Sequence, residues 1–301
     1  MLQWPVRSGE SGAGNRVSTT TSTGQVHHDD DRLADYLGSN RPQSGRVWDY
    51  LLWCGKNCPA DRDLVASLGR ARTYFEKAAR RNQTWLYQVT RWASQQWGVR
   101  QFVDLGAGVG GPVALHENIR RQVPSARVVY VESDLVACCS LEQDTRDVPG
   151  TAVIEADLTQ PRTLLDHPVL RTVLDFDQPV AVLLSAVLHE VPDDRDPAGV
   201  LAAWRDAVVP GSLAAISHLT ADDHPQVVQQ AVEVYAEAGM DLHPRTRAEV
   251  ASLAAEFGPV TAPEPLYPPL WKPERLVIAH SLVRPPSECL TWSVVVHRGP
   301  D

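Results

Sequence analysis

Several features are scarce in this chain, and each scarcity closes off a class of protein. No run of about 18 consecutive apolar residues occurs and no apolar signal core stands near the N-terminus, so neither a membrane helix nor a secretory route is expected, and the cytoplasm is the default location. Cysteine is low and odd in number, five in 301 residues, at spacings that match no disulfide framework, so reduced thiols are expected. Cys54 and Cys58 lack the second Cys or His pair that a zinc site needs, and packing is the better reading of them. His27, His28, Asp29, Asp30 and Asp31 look like ligands in isolation, but they adjoin a tail rich in Ser, Thr and Gly and read as a solvated cluster, so no metal site is expected. Basic residues are in deficit too: 28 Lys and Arg against 37 Asp and Glu, a formal charge of −9. Neutralising nucleic-acid phosphates requires a basic surplus on at least one face, and the basic run at residues 70–81 reads as the wet face of a helix. No internal repeat is evident.

What remains is a chain of 301 residues, 43% apolar, long enough to bury one large core. Residues 1–28, which contain SGESGAGNRVSTTTSTG, are too polar and glycine-rich to offset their ordering entropy and are expected to be a disordered tail. Residues 29–98 read as a helical N-terminal cap: Leu33, Tyr36 and Leu37, then Val47, Tyr50 and Leu51, then a long helix over about residues 72–96. In that helix Tyr74, Ala78, Trp85, Val89, Trp92 and Ala93 recur at three- and four-residue spacing, as one buried face requires. Residues 99–301 alternate strands (180–186, 212–217) with helices (197–208, 225–238), which means a mainly parallel sheet, and 291–297 returns as a final antiparallel strand. Eight prolines between positions 259 and 286 are too many for continuous secondary structure and predict a loop wrapping the domain.

The sharpest local signal is QFVDLGAGVGG at residues 101–111, a strand-forming run that ends in an acid and meets a glycine-rich turn. Residues 112–123 then read as a helix opened by Pro112. Gly106, Ala107 and Gly108 let the backbone turn tightly and approach a ligand without side-chain clash. Gly106, Gly108 and Gly111 also fit the dinucleotide fingerprint, so glycine spacing alone does not choose a cofactor. Asp104 does choose. It would face the phosphates of a dinucleotide, but it suits the cationic, phosphate-free amino-acid end of S-adenosylmethionine. The second strand, RVVYVE at 127–132, ends in Glu132, an acceptor for two ribose hydroxyls in either cofactor class. The third, 151–155, precedes Asp157 and Leu158, an acceptor for the adenine amine beside an apolar side chain. Ser133 and Ser185, at the ends of the second and fourth strands, complete the expected cofactor set. Capping or turn chemistry is the alternative for the three acids.

The segments RVWDYLLWCGKNCPADR (46–62), GVRQFVDLGAG (98–108), ARVVYVESD (126–134), ADLTQP (156–161), LDFDQPVAVLLSAVLHEVPDD (174–194) and ISHLTADD (216–223) occur in this order. Together they resemble an actinobacterial S-adenosyl methyltransferase family long catalogued as a domain of unknown function. The resemblance runs from Arg46 to the C-terminus. It implies a class I methyltransferase fold, Rossmann-like, with a mostly parallel seven-stranded sheet, helices on both faces and S-adenosylmethionine as cofactor; it supplies no substrate. The chain departs from the family pattern at Cys54, Gly55 and Cys58, where paired glycines and an aromatic are usual, at Gln83 after Asn82, where arginine is usual, and at residues 109–112 in the loop.

Ligands bind beyond the carboxyl ends of such strands, where His189 follows the fourth and His218 the fifth. Both imidazoles are expected near the transferable methyl, and an imidazole titrating near neutrality suits proton removal from a hydroxyl. VLHEVPD, which holds His189, is similar to an element of small-molecule O-methyltransferases in which the histidine is the base; the alternative is a histidine that holds the loop before Pro192. Glu190 is a partner or substrate contact. Arg46, Asp49, Tyr50, Lys56, Asp61 and Arg62 form a second candidate set, with Arg46, Tyr50 and Arg62 as substrate or lid residues, unless Arg46 and Asp49 merely pair on a helix surface. Trp48, Trp53, Trp85, Trp92 and Trp97 either line an apolar substrate pocket or pack the core. The reading is methyl transfer to a small, apolar or aromatic metabolite, oxygen favoured, with no nucleic-acid or membrane partner and a homodimer left open. The alternatives are a non-catalytic cofactor-sensing protein and an NAD-dependent oxidoreductase.

Overall fold

The computed structural model describes residues 38–259 and 286–299. The expected tail, the His27–Asp31 cluster, the Leu33, Tyr36 and Leu37 pattern and nearly all of the proline-rich stretch lie outside these residues.

The chain enters through three helices, α1 (Ser44–Leu51), α2 (Pro59–Ser67) and α3 (Ala71–Gln96). It then alternates β1 (Gln101–Leu105), α4 (Leu115–Arg120), β2 (Arg127–Glu132), α5 (Leu135–Thr145), β3 (Thr151–Glu155), α6 (Pro161–Leu165), α7 (Pro168–Val173) and β4 (Val180–Ser185). After two short 3-10 turns come α8 (Pro197–Ala207), β5 (Leu213–Leu219), α9 (Pro225–Glu237), α10 (Arg247–Ala255) and β6 (Thr291–His297). The strands lie in the order β3-β2-β1-β4-β5-β6, parallel except for β6, which runs antiparallel to β5. The fold is that of a class I methyltransferase, but the strand count is a correction: six among the described residues, not seven, with β6 paired antiparallel to β5 from His297 to Thr291 at the sheet edge.

β1 is buried throughout, and so are β4 up to Leu184 and all of β5, as apolar strands covered on both faces must be. Their alternation sorts side chains onto two layers. Val103, Val129, Val182 and Leu184 face Leu170, Leu201, Trp204 and Ala254 of the helices on one side. Phe102, Val128, Ala181 and Leu183 face Trp85, Val89 and Ala93 of α3, with Ile119 of α4 and Leu141 of α5, on the other. The first half of α3 belongs to a third cluster, in which Phe75 and Ala78 meet Val47 and Leu51 of α1, Val65 of α2 and Val228 and Tyr235 of α9. One helix thus ties the sheet to the cap, so the cap stands over the carboxyl ends of the strands. Among the described residues no helix is long and apolar enough to cross a membrane.

α4 is shorter than the expected 112–123. Val113 donates its amide to the Tyr87 hydroxyl at 3.2 Å while that hydroxyl donates to the Val113 carbonyl at 2.5 Å, and Ala114 is extended at φ −58°, ψ 137°. A side chain of α3 has replaced the first helical turn. The alternative in which Arg46 and Asp49 pair on a helix surface is not what the structure has: both are buried, and Asp49 accepts from the Lys56 amide at 2.8 Å and the Asn57 side chain at 2.7 Å. All five cysteines are free thiols, and Cys58 sits at the N-cap of α2.

Candidate active site

The loop that follows β1 is shaped by what presses on it. Gly106 has φ +73°, and a methyl group there would lie 2.3 Å from the Val187 side chain. Gly108, at φ +59°, faces the cap: a methyl group on Gly45 would lie 2.6 Å from the Gly108 α-carbon. Backbone therefore meets backbone, and a glycine is needed on both sides. Glu132, closing β2, accepts from the Gly108 amide at 2.7 Å through one oxygen, and from the Ser133 and Asp134 amides at 2.7 and 3.0 Å through the other.

The cap is fixed to the segment after β2 by a buried ion cluster. Arg46 of α1, fully buried, donates to Asp61 of α2 at 3.1 Å and to Asp134 at 2.6 Å, and its remaining nitrogen donates to the carbonyls of Gly38 at 3.1 Å and Arg41 at 2.6 Å. Burial opposes its charge, but Asp134 and then Asp61 outweigh that and hold the guanidinium above its ordinary range. Asp134 is also the N-cap of α5. Removing any one partner would strand a buried charge.

Between loop and cap lies a cavity of about 350 Å³. Asp104, Gly106, Ala107, Gly108, Glu132, Ser133, Asp157, Leu158 and Ser185 all line it, and so does Glu190. The structure brings these sequence candidates together. Asp104 is buried and has no hydrogen-bond partner among the described residues; burial, reinforced by the charge of Glu132, raises its carboxyl to about 7. An open, buried acceptor of this kind fits an ammonium group. Asp157 is engaged instead: Thr159 donates to it through its amide at 2.8 Å and its hydroxyl at 2.7 Å, and Arg195 pairs with it at 2.5 Å. These bonds outweigh its burial and hold its carboxyl below the ordinary range. Ser185 accepts from Asn82 of α3 at 2.9 Å.

Arg46, Tyr50, Arg62, His189 and His218 do not line the cavity. Tyr50 packs in the cap cluster under the Arg72 guanidinium, 5.6 Å from the ring centre, and Arg62 donates to Asn57 at the surface. The two histidines form a buried pair, ring centres 5.6 Å apart. His189 accepts the Leu219 amide on Nδ1 at 3.3 Å, which occupies its lone pair. Burial, with His218, Arg245 and His243 adding positive charge, pushes it well below its ordinary value. His218 donates from Nδ1 to the Leu219 carbonyl at 2.8 Å and accepts Arg245 on Nε2 at 2.7 Å; chiefly by burial it falls to about 4. Arg245 goes on to the Leu188 and Val191 carbonyls, each at 3.0 Å, so the trio fastens the turn after β4 to β5. Both rings are thus engaged by backbone, that of His218 also by Arg245, and neither lines the cavity.

Sequence reasoning missed Ser44 and Gly45, which line the cavity from the cap, and left Trp48 open between pocket and core; Trp48 does line it. Trp85 is core, whereas Trp53 is 69% exposed beneath Arg80. A glycine followed by Arg46 at the start of α1 was the one available signal, and it has no local motif. Gln83 lines the cavity too.

The model of the S-adenosyl methyltransferase family matches residues 30–284. The structure is similar to that of a DUF574 family protein from Streptomyces avermitilis MA-4680, at 28% identity over 88% of this chain and 100% of that one, with a TM-score of 0.79. It is also similar to a candidate methyltransferase from Thermobifida fusca YX, at 30% identity over 88% of this chain and 98% of that one, with a TM-score of 0.78. A search of curated proteins finds no match. The open Asp104 carboxyl, the glycine cradle and the family match agree, which sets the NAD reading aside: this chain belongs to the S-adenosyl methyltransferase family and is an S-adenosylmethionine-dependent methyltransferase.

Proposed function

We propose that the protein methylates a small, apolar or aromatic metabolite in the cytoplasm, with a hydroxyl oxygen as the favoured acceptor. The observation that carries this reading is the division of the cavity wall. Asp104, Glu132 and Asp157 stand at the strand ends, while Trp48, Leu86, Val187, Val191 and Pro192 add an apolar surface toward the cap and the turn after β4.

When bound, the cofactor supplies an electrophilic methyl group on a positively charged sulfur. The chain's own residues bind and align. Asp104 receives the amino group, Glu132 the ribose hydroxyls, and Leu158 with Ala156 an adenine face. Ser133 and Ser185 offer hydroxyls along the same wall. The cap, held by Arg46, limits water access and leaves room for an acceptor beside Trp48, and such alignment is where most of the rate gain of a displacement reaction arises. His189 and His218 act by holding the turn that carries Glu190. Five free thiols suit a reducing compartment.

Calorimetric titration with S-adenosylhomocysteine and with NADH tests the cofactor half of this reading: binding of the first and none of the second is expected, and the reverse would overturn it.

A further inference from the structure

We propose that Glu190 is the group that takes the proton from the methyl acceptor, a hydroxyl or amine carrying no carboxylate or phosphate of its own. This rests on the assignment of the cavity given above.

Five carboxyl groups line the cavity: Asp104, Glu132, Asp134, Asp157 and Glu190. Three already hold groups of the protein itself. Glu132 holds three amides, Asp134 holds Arg46 and an α5 amide, and Asp157 holds Thr159 and Arg195. Asp104 remains for the cofactor's amino group. Glu190 is the other carboxyl left open, with the Ser44 side chain as its carboxyl's hydrogen-bond partner among the described residues. It stands in the 3-10 turn just past β4, between that strand end and the cap, where Val187, Val191 and Trp48 also line the wall.

The charged and titratable groups in range of Glu190 are Glu132 of β2 and Tyr235 of α9, which also senses Asp61 of α2. No cation pairs with it among the described residues. Burial raises its carboxyl, the Ser44 bond partly offsets this, and Glu132 adds to it, giving about 8. The excess of carboxylates in the wall repels an anionic acceptor. The histidines offer no rival base, because the lone pair of His189 is held by the Leu219 amide and that of His218 by Arg245.

In the step, the acceptor's lone pair forms a bond to the methyl carbon. The carbon–sulfur bond breaks and leaves its electron pair on sulfur, and the acceptor's proton passes to a Glu190 oxygen. A base within hydrogen-bond reach of an acceptor that itself touches the methyl carbon lies within about 7 Å of the sulfur. There the positive sulfur favours the ionised carboxyl by on the order of tenfold. Once the methyl has moved and the sulfur is neutral, Glu190 regains its proton affinity as the acceptor gives up its proton.

The test is proton release on binding, read by titration calorimetry in buffers of different ionisation enthalpy. At pH 7.5 S-adenosylmethionine should release about half a proton more than S-adenosylhomocysteine, because only the first carries a charged sulfur. Glu190→Gln should abolish that excess and keep the release common to both ligands, which belongs to Asp104. Glu190→Asp, folded as judged by its melting transition, should keep part of the excess and covers the case in which the glutamine variant does not fold. Equal release by the two ligands in the wild type, or an excess that survives Glu190→Gln, would overturn the proposal while leaving cofactor binding intact. Failure of both ligands to bind would instead strike the cofactor site itself.

Discussion

The two walls of the cavity are built on opposite principles. On the sheet side, acids at the ends of β1 and β2 face the ligand space, and one of them, Asp104, has no side-chain hydrogen-bond partner among the described residues. On the cap side, the charges are spent internally: every donor bond of Arg46 goes to Asp61, Asp134 or a backbone carbonyl, and Gly45 offers only backbone to Gly108. The comparison teaches that recognition sits at the strand ends, while the cap contributes position and shape. Loss of stability without a local binding defect should therefore mark the cap, and loss of affinity without unfolding should mark the sheet.

The largest expected effect falls on the cap. Arg46→Met leaves two buried carboxylates uncompensated and should cost about 3 to 5 kcal/mol of stability, visible in chemical denaturation. A variant as stable as the wild type would dissolve the distinction between the walls. Next comes Glu132→Ala on the sheet side, which removes the ribose acceptor and the tie to Gly108. It should weaken S-adenosylhomocysteine binding by about a hundredfold in calorimetry, since charged hydrogen bonds contribute about 1.5 to 3 kcal/mol each, and because it also releases the amides of Gly108, Ser133 and Asp134 the affinity is compared on variant protein shown to be folded.

The smaller effect is one of pH. Asp104 stands at about 7 in the fold against an ordinary value of 3.8, so between these values the folded chain holds a proton that the unfolded chain has lost. Its contribution to stability is complete below the lower value and gone above the higher one. Binding an ammonium ionises it. Affinity for S-adenosylhomocysteine should rise roughly fivefold from pH 6 to pH 7, about twofold more by pH 8 to 9, then level off, and lose this dependence in Asp104→Asn. A flat profile in the wild type would remove Asp104 from the amino-group site.

The sheet wall was legible in the sequence because its determinants are local. An acid before a glycine turn and an acid closing the next strand are set by strand ends, and the expected cofactor residues from Asp104 to Ser185 do line one cavity. The cap wall was not, because Arg46 meets Asp134 across 88 positions and Gly45 meets Gly108 only after α3 has brought cap and sheet together. The same reason explains His189. Its neighbours in VLHEVPD suggest a base, whereas its lone pair is taken by the Leu219 amide, 30 residues on. Local strings carry the chemistry that local backbone can build, and long-range partners decide the rest.

The most direct test of the central claim is a crystal structure with S-adenosylhomocysteine. The amino nitrogen should lie within hydrogen-bond distance of Asp104 and both ribose hydroxyls within reach of Glu132, with Gly45 still against Gly108. A ligand seated outside this cleft, or one that turns its carboxylate rather than its amine to Asp104, would contradict it.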